Sequence, residues 1–528
     1  MSKKKVTVMD FAHYQLKSIP PELIKTMLDN LENPLVSRIR CLNFKHNEIE
    51  NIPQELLGLP DYVDVRLDGN PLEMIPDAHR RGNWAKIKEY LESIGERAKQ
   101  WRDCKLLMLG QETAGKSTLL RCLMHKKGKS QCKQNLSTNG IAIHRQVKFP
   151  FEDEDSHTTA TNKKSVQFNA WDFGGQEIFY PTHRFFLTNN AVYIITFNLT
   201  ALEDPNTQTE AEARISYWMQ QVRLATMSSK HKLIYLVGTH LDSVKPESVD
   251  GILENLRRKF PRQRFQGTQC VAAVSCKTGE GILELKRNIT DSVVKVGLLP
   301  LVPPSWVKLY DYIFSHKSGH VSLTLKTKEK ISNWISRKRF DEIALRCGIP
   351  EADISIAADF LQDIGVIVLH QSDIPDTNGV KQKFVILKPQ WLANVMSTLI
   401  SFNHTWIKNG FLRLSDVSHV FTGYEESIHG MLLDLLENFS IIYRVRIAPQ
   451  GISIRKKVQP GIQGIFVPSV LSEEPDTSEV SQFWPSADAD SEEIGRIYEF
   501  PFLPLGLIER IIVRAFHIPG FAPQYFWR

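Results

Sequence analysis

The amino-acid sequence predicts a multidomain protein with three architectures in succession: the end of an α/β repeat solenoid, a doubly wound α/β domain, and an α+β winged-helix-like region. Three observations predict this order. A motif recurs near the N-terminus, a glycine-rich loop with strand–helix alternation follows, and helix–turn–helix patterns come last. The chain has 528 residues, more than one hydrophobic core supports, so about three or four domains are expected.

Composition and cysteine usage are typical of a soluble protein, with 42% hydrophobic and 23% charged residues. No apolar run approaches the ~20 residues of a membrane span, and the basic N-terminus lacks the apolar core of a secretion signal. Seven cysteines without a CxxC pair indicate reduced thiols. The net charge of +6 is too mild to argue for nucleic acid. We therefore expect a cytoplasmic protein, with peripheral membrane attachment as an alternative.

The first architecture, residues 1–82, is predicted from an internal repeat. The segment 42–49 recurs as 65–72, both fitting LxLxxNxL, and a looser copy at 9–20 carries Tyr14 in the Asn place. A period near 23 residues is typical of leucine-rich repeats. Asn47 and Asn70 are expected to satisfy backbone groups at the turns. Three copies indicate the last turns of a solenoid.

Residues 83–102 have helical periodicity and are predicted to form a cap and linker. The doubly wound α/β domain is predicted from 103 to 298, because strand and helix patterns alternate there. Its strands after the first are expected at Ser165–Trp171, Ala191–Leu199, Lys232–Gly238 and Gln269–Val274, with a helix at Ala211–Ala225. The polar insert 151–164 is interpreted as a long hairpin loop.

The stretch KLLMLGQETAGKSTLL, residues 105–120, contains GxxxxGK[ST] between an apolar strand and a helix. This pattern predicts backbone N–H groups wrapped around phosphates. Lys116 would reach the β- and γ-phosphates, and the Ser117 hydroxyl would ligate Mg²⁺.

A second motif, Asp172-Phe-Gly-Gly175-Gln176, follows the next strong strand. Asp172 at the end of that strand is expected near the metal, and Gly175 can donate its N–H to a γ-phosphate. Gln176 is then placed to orient an attacking water, which makes Gln176 and Lys116 the predicted catalytic residues.

The base is predicted from two further motifs, each after a strand. In Thr239-His240-Leu-Asp242 the carboxylate can accept both the N1–H and the 2-amino group of guanine, a donor pair that adenine lacks. The segment 275–277, Ser-Cys-Lys, is suited to backbone contact with the guanine O6. The expected nucleotide is therefore GTP, with GDP as product.

These motifs in this order resemble the Ras-like Roc GTPase domain of the Roco family, in which THLD replaces the NKxD of small GTPases. The segment 179–186, FYPTHRFF, resembles that family's switch region. The resemblance implies that Thr138 closes on Mg²⁺. Glu112 departs from the glycine that small GTPases often carry there, and its charge beside a γ-phosphate would slow turnover or weaken affinity. The predicted nucleotide contacts are Gly110, Gln111, Glu112, Thr113, Ala114, Gly115, Lys116, Ser117, Thr118, Thr138, Asp172, Gly175, Thr239, His240, Asp242, Ser275, Cys276 and Lys277, with Ser117, Thr138 and Asp172 as metal ligands.

In that family a COR region follows the GTPase domain, and residues 299–485 resemble its first half. A helix is expected from Pro304, helix–turn–helix–strand over 340–370, the family's KPQWL element at 388–392, and a second such unit over 414–446. DNA binding is not expected, because acidic residues occupy the would-be recognition helix. COR and the repeats are instead expected to bind protein partners, and a COR homodimer is a further alternative.

Residues 486–528 resemble the start of the second COR half, which we expect to be truncated. A helix over 505–518 is predicted to carry an apolar stripe that needs a covering layer. The stripe comprises Leu507, Ile508, Ile511, Ile512, Ala515 and Phe516, with Glu509, Arg510 and Arg514 opposite. The alternative is that this helix folds back onto the first COR half.

Three functions compete. The leading hypothesis is a slow GTP-hydrolysing switch in signal transduction, since Gln176 favours hydrolysis. The rival is a nucleotide-gated scaffold with negligible turnover, favoured by Glu112 and by the lack of a clear catalytic arginine; Arg184 is a candidate but is better explained as a surface contact. The chain also lacks an HRD loop and a glycine-rich loop with its strand lysine, so any kinase activity would belong to a longer parent. An ATP-driven switch is disfavoured by Asp242.

Overall fold

The computed structural model describes residues 7–49, 52–72, 75, 83–94, 99–125, 138–149, 166–227, 233–261, 269–296, 298–315, 333–371, 383–400, 404–408, 410–445, 447–448, 451–452, 464–471 and 503–515. The predicted hairpin loop 151–164, all of 486–502 at the predicted start of the second COR half, and everything after 515 lie outside these ranges. Within them, no helix combines the length and apolar composition needed to cross a bilayer.

The N-terminal repeats form three stacked turns. Their strands β1 (Thr7–Asp10), β2 (Ile39–Asn43) and β3 (Asp64–Arg66) make one parallel sheet, and α1 (Pro21–Asp29) and a 3₁₀ turn (Gln54–Gly58) lie between them. Asn47 and Asn70 are buried, and each side chain bonds backbone groups of its own turn and of the turn before. The predicted role of these asparagines is confirmed.

The predicted cap helix is α2 (Trp84–Ile94), followed by a short strand β4 (Lys99–Gln100). Strand β4 pairs antiparallel with β11 (Leu301–Val302), which lies some two hundred residues further along the chain. The Tyr90 hydroxyl on α2 also donates to the carbonyl of Leu301. The linker before the α/β domain and the linker after it are therefore fastened together.

The α/β domain is a six-stranded sheet in the order β10–β9–β8–β5–β7–β6, with every pair parallel except β6–β7. Its strands are β5 (Asp103–Leu109), β6 (Ile141–Lys148), β7 (Gln167–Phe173), β8 (Ala191–Asn198), β9 (Leu233–Thr239) and β10 (Gln269–Ala273). The predicted strands are found within about two residues, because central parallel strands are buried on both faces and read as continuous apolar runs. Antiparallel β6 and β7 agree with the predicted hairpin.

Helices cover both faces of this sheet. They are α3 (Lys116–Met124), α4 (Tyr180–His183), α5 (Thr200–Glu203), α6 (Pro205–Ala225), α7 (Pro246–Lys259) and α8 (Ile282–Lys295). Helix α6 begins six residues before the predicted start at Ala211. Its first turns are polar and exposed, so apolar periodicity gave no sign of them, although Asp204 caps them by accepting from Asn206 N–H.

The region that resembles COR, called COR below, contains two helix-rich units. The first has α9 (Pro304–Ser315), β12 (Trp334–Ser336), α10 (Arg337–Arg346), α11 (Ile354–Asp363), β13 (Val368–Gln371) and β14 (Lys383–Ile386). The second has α12 (Pro389–Leu399), β15 (Ile407–Lys408), β16 (Phe411–Arg413), α13 (Val417–Val420), α14 (Glu426–Asn438), β17 (Tyr443–Val445), β18 (Ile447–Ala448), β19 (Gly451–Ile452) and β20 (Gly464–Phe466). The predicted helix–turn–helix–strand order is found in both units.

The C-terminal helix α15 (Leu507–Ala515) corrects the predicted apolar stripe. Glu509, expected on the polar face, is buried, whereas Ile511, expected on the apolar face, is 52% exposed. The buried apolar residues are Ile512 and Val513, and Ile512 packs against Phe466 of the first COR half. The helix thus folds back as the alternative hypothesis has it.

One small sheet, β12–β14–β13, joins the two largest hydrophobic cores. Val385 and Leu387 belong to the core that contains the N-terminal turns, α2 and α9. Ile386 belongs to the core that contains one face of the α/β sheet and the second COR unit. Because alternate residues of a strand face opposite ways, the strand β14 is shared by both cores.

The end of α11 docks on the α/β domain. The buried Asn169 side chain donates to the carbonyl of Ile364 over 2.9 Å. A Cβ added at Gly365 would lie 2.8 Å from the Trp171 indole nitrogen. Helix α11 is the helix that a helix–turn–helix interpretation would assign to DNA recognition, and its C-terminal end is instead packed against the α/β domain.

Candidate functional site

The loop between β5 and α3 has a backbone that two glycines make possible. Gly110 and Gly115 have φ values of +136° and +80°, a region that side chains disfavour. A Cβ at Gly110 would lie 2.1 Å from the carbonyl oxygen of Thr196. Helix α3 begins at Lys116, so its first N–H groups face the loop, as an anion-binding turn requires.

Lys116 lies beneath this loop and is buried. Its ammonium donates to the carbonyls of Gly110, over 2.9 Å, and of Gln111. Burial lowers the pKa of Lys116 to about 8, and the nearby Asp172 and Glu112 carboxylates oppose that shift. The cation is therefore held where the loop would wrap an anion.

Three oxygen-bearing side chains meet beside Lys116. The Ser117 hydroxyl lies 2.9 Å from the Thr138 hydroxyl and 2.5 Å from Asp172 Oδ2, and Thr138 Oγ1 lies 3.0 Å from the same carboxylate oxygen. The structure thus brings together all three predicted metal ligands, although they are 55 residues apart in sequence.

The donor set of this cluster fits Mg²⁺. Two hydroxyls and one carboxylate are hard oxygen donors, which Mg²⁺ prefers over nitrogen and sulfur. Asp172 Oδ1 is buried and has no hydrogen-bond partner among the described residues. Burial raises the pKa of Asp172, with the hydrogen bonds from Ser117 and Thr138 opposing it, and a bound cation would favour its charged form.

Gln176 lies over the phosphate loop and is held there by Glu112. Its Nε2 donates to Glu112 Oε1 over 3.0 Å. The backbone forms a second link, since Glu112 N–H donates to the carbonyl of Gly175 over 3.2 Å. A Cβ at Gly175 would lie 2.2 Å from Glu112 N. Residue 175 therefore has to be glycine for this close approach.

The predicted base-binding residues form a second cluster. Ser275 Oγ donates to Asp242 Oδ1 over 2.7 Å, and the exposed Lys277 ammonium lies 3.9 Å from Asp242 Oδ2. The Ser275 bond is the main reason that the pKa of Asp242 is lowered. Asp242 is thus a fixed acceptor at physiological pH.

The two clusters are tied to each other. Thr239 Oγ1 donates to the carbonyl of Ala114 over 3.0 Å, and lies 2.9 Å from the His240 ring nitrogen Nδ1. The Cys122 thiol on α3 donates to the carbonyl of Cys276 over 3.5 Å. A hydrogen bond with Cys122 is also the main reason that the pKa of the Cys276 thiol is raised. The base end is therefore built against the phosphate end.

Not every predicted site residue points inward. Gln111, Glu112, Thr113 and His240 are partly or fully exposed, and Thr118 accepts a hydrogen bond from Arg121. Arg184, the candidate catalytic arginine, donates to the carbonyl of Phe439 in COR over 3.1 Å and stacks on Phe185. It therefore contacts a neighbouring domain, which supports the contact interpretation over the catalytic one.

Three residues beside the site were not singled out from sequence. Gly140 is buried at φ +69° and lies against Ser397 of helix α12, and Gln390 of the same helix bonds Ile141 and Ile143. Gln390 lies in the KPQWL element, which was noted only as a resemblance. No local signal reveals that a side chain 247 residues away in sequence bonds Ile143.

Comparisons with known protein families support the same organisation. A family model described as "Ras of Complex, Roc, domain of DAPkinase" matches residues 105–242. Another, described as "C-terminal of Roc, COR-A domain", matches residues 318–455. The first range contains the phosphate loop and Asp242, and the second contains β12 to β19.

Curated relatives are long proteins of which this chain matches a part. "Probable serine/threonine-protein kinase pats1" of Dictyostelium discoideum is 30% identical over 89% of this chain and 14% of its own length. "Probable serine/threonine-protein kinase roco11" of the same organism is 28% identical over 84% and 33%, respectively. "Leucine-rich repeat serine/threonine-protein kinase 1" of Mus musculus is 21% identical over 90% and 24%. The chain thus spans about a seventh to a third of these relatives.

Among solved structures, "Structure of methanosarcina barkeri Roco2 RocCORdC bound to GDP" covers 71% of this chain and 97% of that one. The identity is 22% and the TM-score is 0.46.

Proposed function

Because this chain belongs to the Roco family, with a Roc domain followed by a COR-A domain, we propose that it binds GTP and hydrolyses it, as a molecular switch in signal transduction. One observation carries the proposal. Ser117, Thr138 and Asp172 bring three oxygens within 3.0 Å of one another beside the loop lysine. A phosphate loop with a hard-oxygen metal site is what a magnesium–nucleotide complex requires.

The phosphate chemistry is assigned to residues of the loop. The N–H groups of the first turn of α3 and the Lys116 ammonium would bind the β- and γ-phosphates. Ser117, Thr138 and Asp172 would hold Mg²⁺, which neutralises charge on the transferred phosphoryl oxygens. Gln176, already over the loop, would orient the attacking water, and Gly175 N–H would bind the γ-phosphate. The products are GDP and phosphate.

Guanine selectivity is assigned to Asp242. Its lowered pKa keeps it ionised, so both oxygens accept hydrogen bonds and can take the N1–H and 2-amino donors of guanine. Ser275 already uses one lone pair of Oδ1 and thereby fixes the orientation of the carboxylate. The backbone of 275–277 is the expected contact for O6.

A nucleotide-gated scaffold with negligible turnover is the second candidate. It is favoured by the bond from Gln176 to Glu112, which engages the amide that should hold water. A third possibility is that the chain is the GTPase portion of a longer Roco serine/threonine kinase. The names of the Dictyostelium and mouse relatives favour it.

The proposal extends to the other parts of the chain. Residues 1–82 are leucine-rich repeats that bind protein partners, 83–102 a helical linker, 103–298 Roc, 299–485 the first half of COR, and 486–528 the start of its second half. COR relays the nucleotide state, with homodimerisation as an alternative. The protein acts in the cytoplasm, with peripheral attachment to membranes as a further hypothesis.

The test is nucleotide selectivity in the purified chain. Wild type should bind and turn over GTP in preference to ATP. Asp242→Asn presents a donor to guanine's donors, so it should lose GTP affinity by about tenfold or more and gain affinity for xanthosine triphosphate. Competition against fluorescent GDP measures both. Equal affinity of wild type for ATP and GTP would overturn the proposal.

A further inference from the structure

The outer strand of the Roc sheet is completed by a side chain of COR. Strand β6 pairs with β7 on one side, and helix α12 lies along the other. The Gln390 side chain accepts from Ile143 N–H over 2.7 Å and donates to the carbonyl of Ile141 over 2.8 Å. A carboxamide carries one acceptor and two donors, so it supplies what a residue of a neighbouring strand would supply.

The Gln390 amide is held in that orientation. Its Nε2 also donates to Asn394 Oδ1 over 2.8 Å, one turn along the same helix. The two bonds to β6 therefore do not depend on a freely rotating side chain, and α12 fixes the start of the strand at Ile141.

Gly140, the residue before Ile141, meets three elements at once. Its carbonyl accepts from Gly174 N–H over 2.7 Å, which links it to the loop that carries Gln176. A Cβ added to it would lie 1.9 Å from Ser397 Oγ and 3.2 Å from Ser397 Cβ. The backbone therefore lies directly on α12, where any side chain would displace the helix.

Thr138 lies two residues before Gly140, and its hydroxyl belongs to the metal cluster. From Thr138 to Ile141 the chain has few free dihedral angles, because Gly140 and Ile141 are both held by α12. A ligand held loosely by its surroundings loses effectiveness when it shifts by about 1 Å. A displacement of α12 would thus move Gly140 and Ile141, and through them Thr138 at the metal site.

We propose that Gln390 is a positioning residue for the magnesium–nucleotide site, acting through β6 and Thr138. The inference rests on the proposed function and deepens it, because it assigns to COR one determinant of Mg²⁺ affinity. By linkage, Mg²⁺ and nucleotide then strengthen the docking of α12 by the same factor. A residue that only covered the edge of the sheet would change stability without changing Mg²⁺ dependence.

The experiment follows dissociation of a fluorescent GDP analogue from the whole chain as MgCl₂ is varied, including excess EDTA. Gln390→Ala removes both hydrogen bonds from α12 to β6, so the Mg²⁺ concentration needed for half-maximal retention should rise about tenfold. Dissociation in EDTA should not change. Thr398→Ala is the matched control on the same helix, because among the described residues its hydroxyl bonds just the carbonyl of Val395 in that helix.

A double-mutant cycle tests the route through Thr138 and does not depend on the stability of one variant. Thr138→Ala alone should raise the Mg²⁺ requirement, and adding Gln390→Ala should raise it no further. Additive effects, an unchanged Mg²⁺ requirement in Gln390→Ala, or faster dissociation in EDTA as well would each overturn the inference. Failure of wild type to retain guanine nucleotide at any Mg²⁺ concentration would instead overturn the proposed function.

Discussion

Glu112 is the residue on which the choice between hydrolysis and storage depends. Its carboxylate accepts from the Gln176 amide and lies on the loop that would surround the γ-phosphate. A negative charge there repels the negative charge of the γ-phosphate. The hydrogen bond also engages the Gln176 amide that should orient the attacking water. Both effects act on GTP more than on GDP, because GDP lacks the terminal phosphate.

We therefore expect Glu112→Ala to raise single-turnover hydrolysis by about threefold to tenfold, since it frees Gln176 and removes the charge. Gln176→Leu should slow hydrolysis by about tenfold or more and leave binding intact. Phosphate release measures both rates. Glu177→Ala serves as control, because it removes a negative charge from an exposed residue directly after Gln176. Equal rates in Gln176→Leu and wild type would favour the scaffold.

His183 is a buried imidazole whose two ring nitrogens have no partner among the described residues. It lies among the rings of Phe173, Tyr180 and Trp218. Burial lowers its pKa to about 3 from an ordinary value of 6.5. Between those values the unfolded chain binds the proton that the folded chain excludes, so stability rises with pH across this window and falls on acidification.

The expected result is a free energy of unfolding that decreases below pH 6.5, with a contribution from His183 of up to about 1.4 kcal/mol per pH unit. His183→Phe should remove that contribution between pH 6.5 and 4.5. His419→Phe, at an exposed ring stacked on Trp406, should not. Urea titrations at several pH values measure the slopes, and identical slopes in both variants would contradict the argument.

At the scale of elements, α15 shows what the periodicity of apolar residues predicts about a helix and what it does not. Helical spacing gives the correct period but not the direction in which the helix docks. Gly506, at φ +66°, starts the helix against Arg184. Glu509 then lines a cavity with Arg184 and Ser440, so the buried face is turned toward a polar junction. The spacing of apolar residues in the sequence could not reveal that junction.

This docking predicts different outcomes at neighbouring isoleucines. Ile512 is 6% exposed and Ile511 52% exposed. Ile512→Ala should lower the free energy of unfolding by about 2–4 kcal/mol, whereas Ile511→Ala should change it by less than about 0.5 kcal/mol. Tryptophan fluorescence in urea gives both values. A larger loss in the Ile511 variant would mean that the helix docks through the predicted stripe.

The buried parts of the elements were predictable and their mutual contacts were not. Strands β5, β8 and β9 follow from continuous apolar runs, and the phosphate loop from its spacing. Strand β6 was not assigned a range, because only Ile141 and Val147 of its eight residues are buried and its edge is covered by Gln390. Ser117 and Asp172 of the metal cluster were predicted from their motifs. Thr138 was supplied by family resemblance, because its spacing from Ser117 carries no local signal.

For the whole molecule, the shared sheet predicts cooperative unfolding. Strand β14 carries residues of both large cores, so neither core can open without exposing apolar surface of the other. Fluorescence and circular dichroism should report one coincident thermal transition. GDP with Mg²⁺ should raise the midpoint temperature of that transition equally for both signals. An early step in which the N-terminal turns melt alone would contradict the coupling.

The contacts between Roc and COR also limit how such a protein can be recombined in evolution. A COR region taken from a distant relative would bring its own residue at position 390 and its own surface at the end of α11, and would meet a β6 and an Asn169 that had not evolved with them. One partner of each contact would then be unsuited to the other. We expect Roc and COR to be inherited as a pair, whereas sequences joined at exposed positions outside them are free to be exchanged.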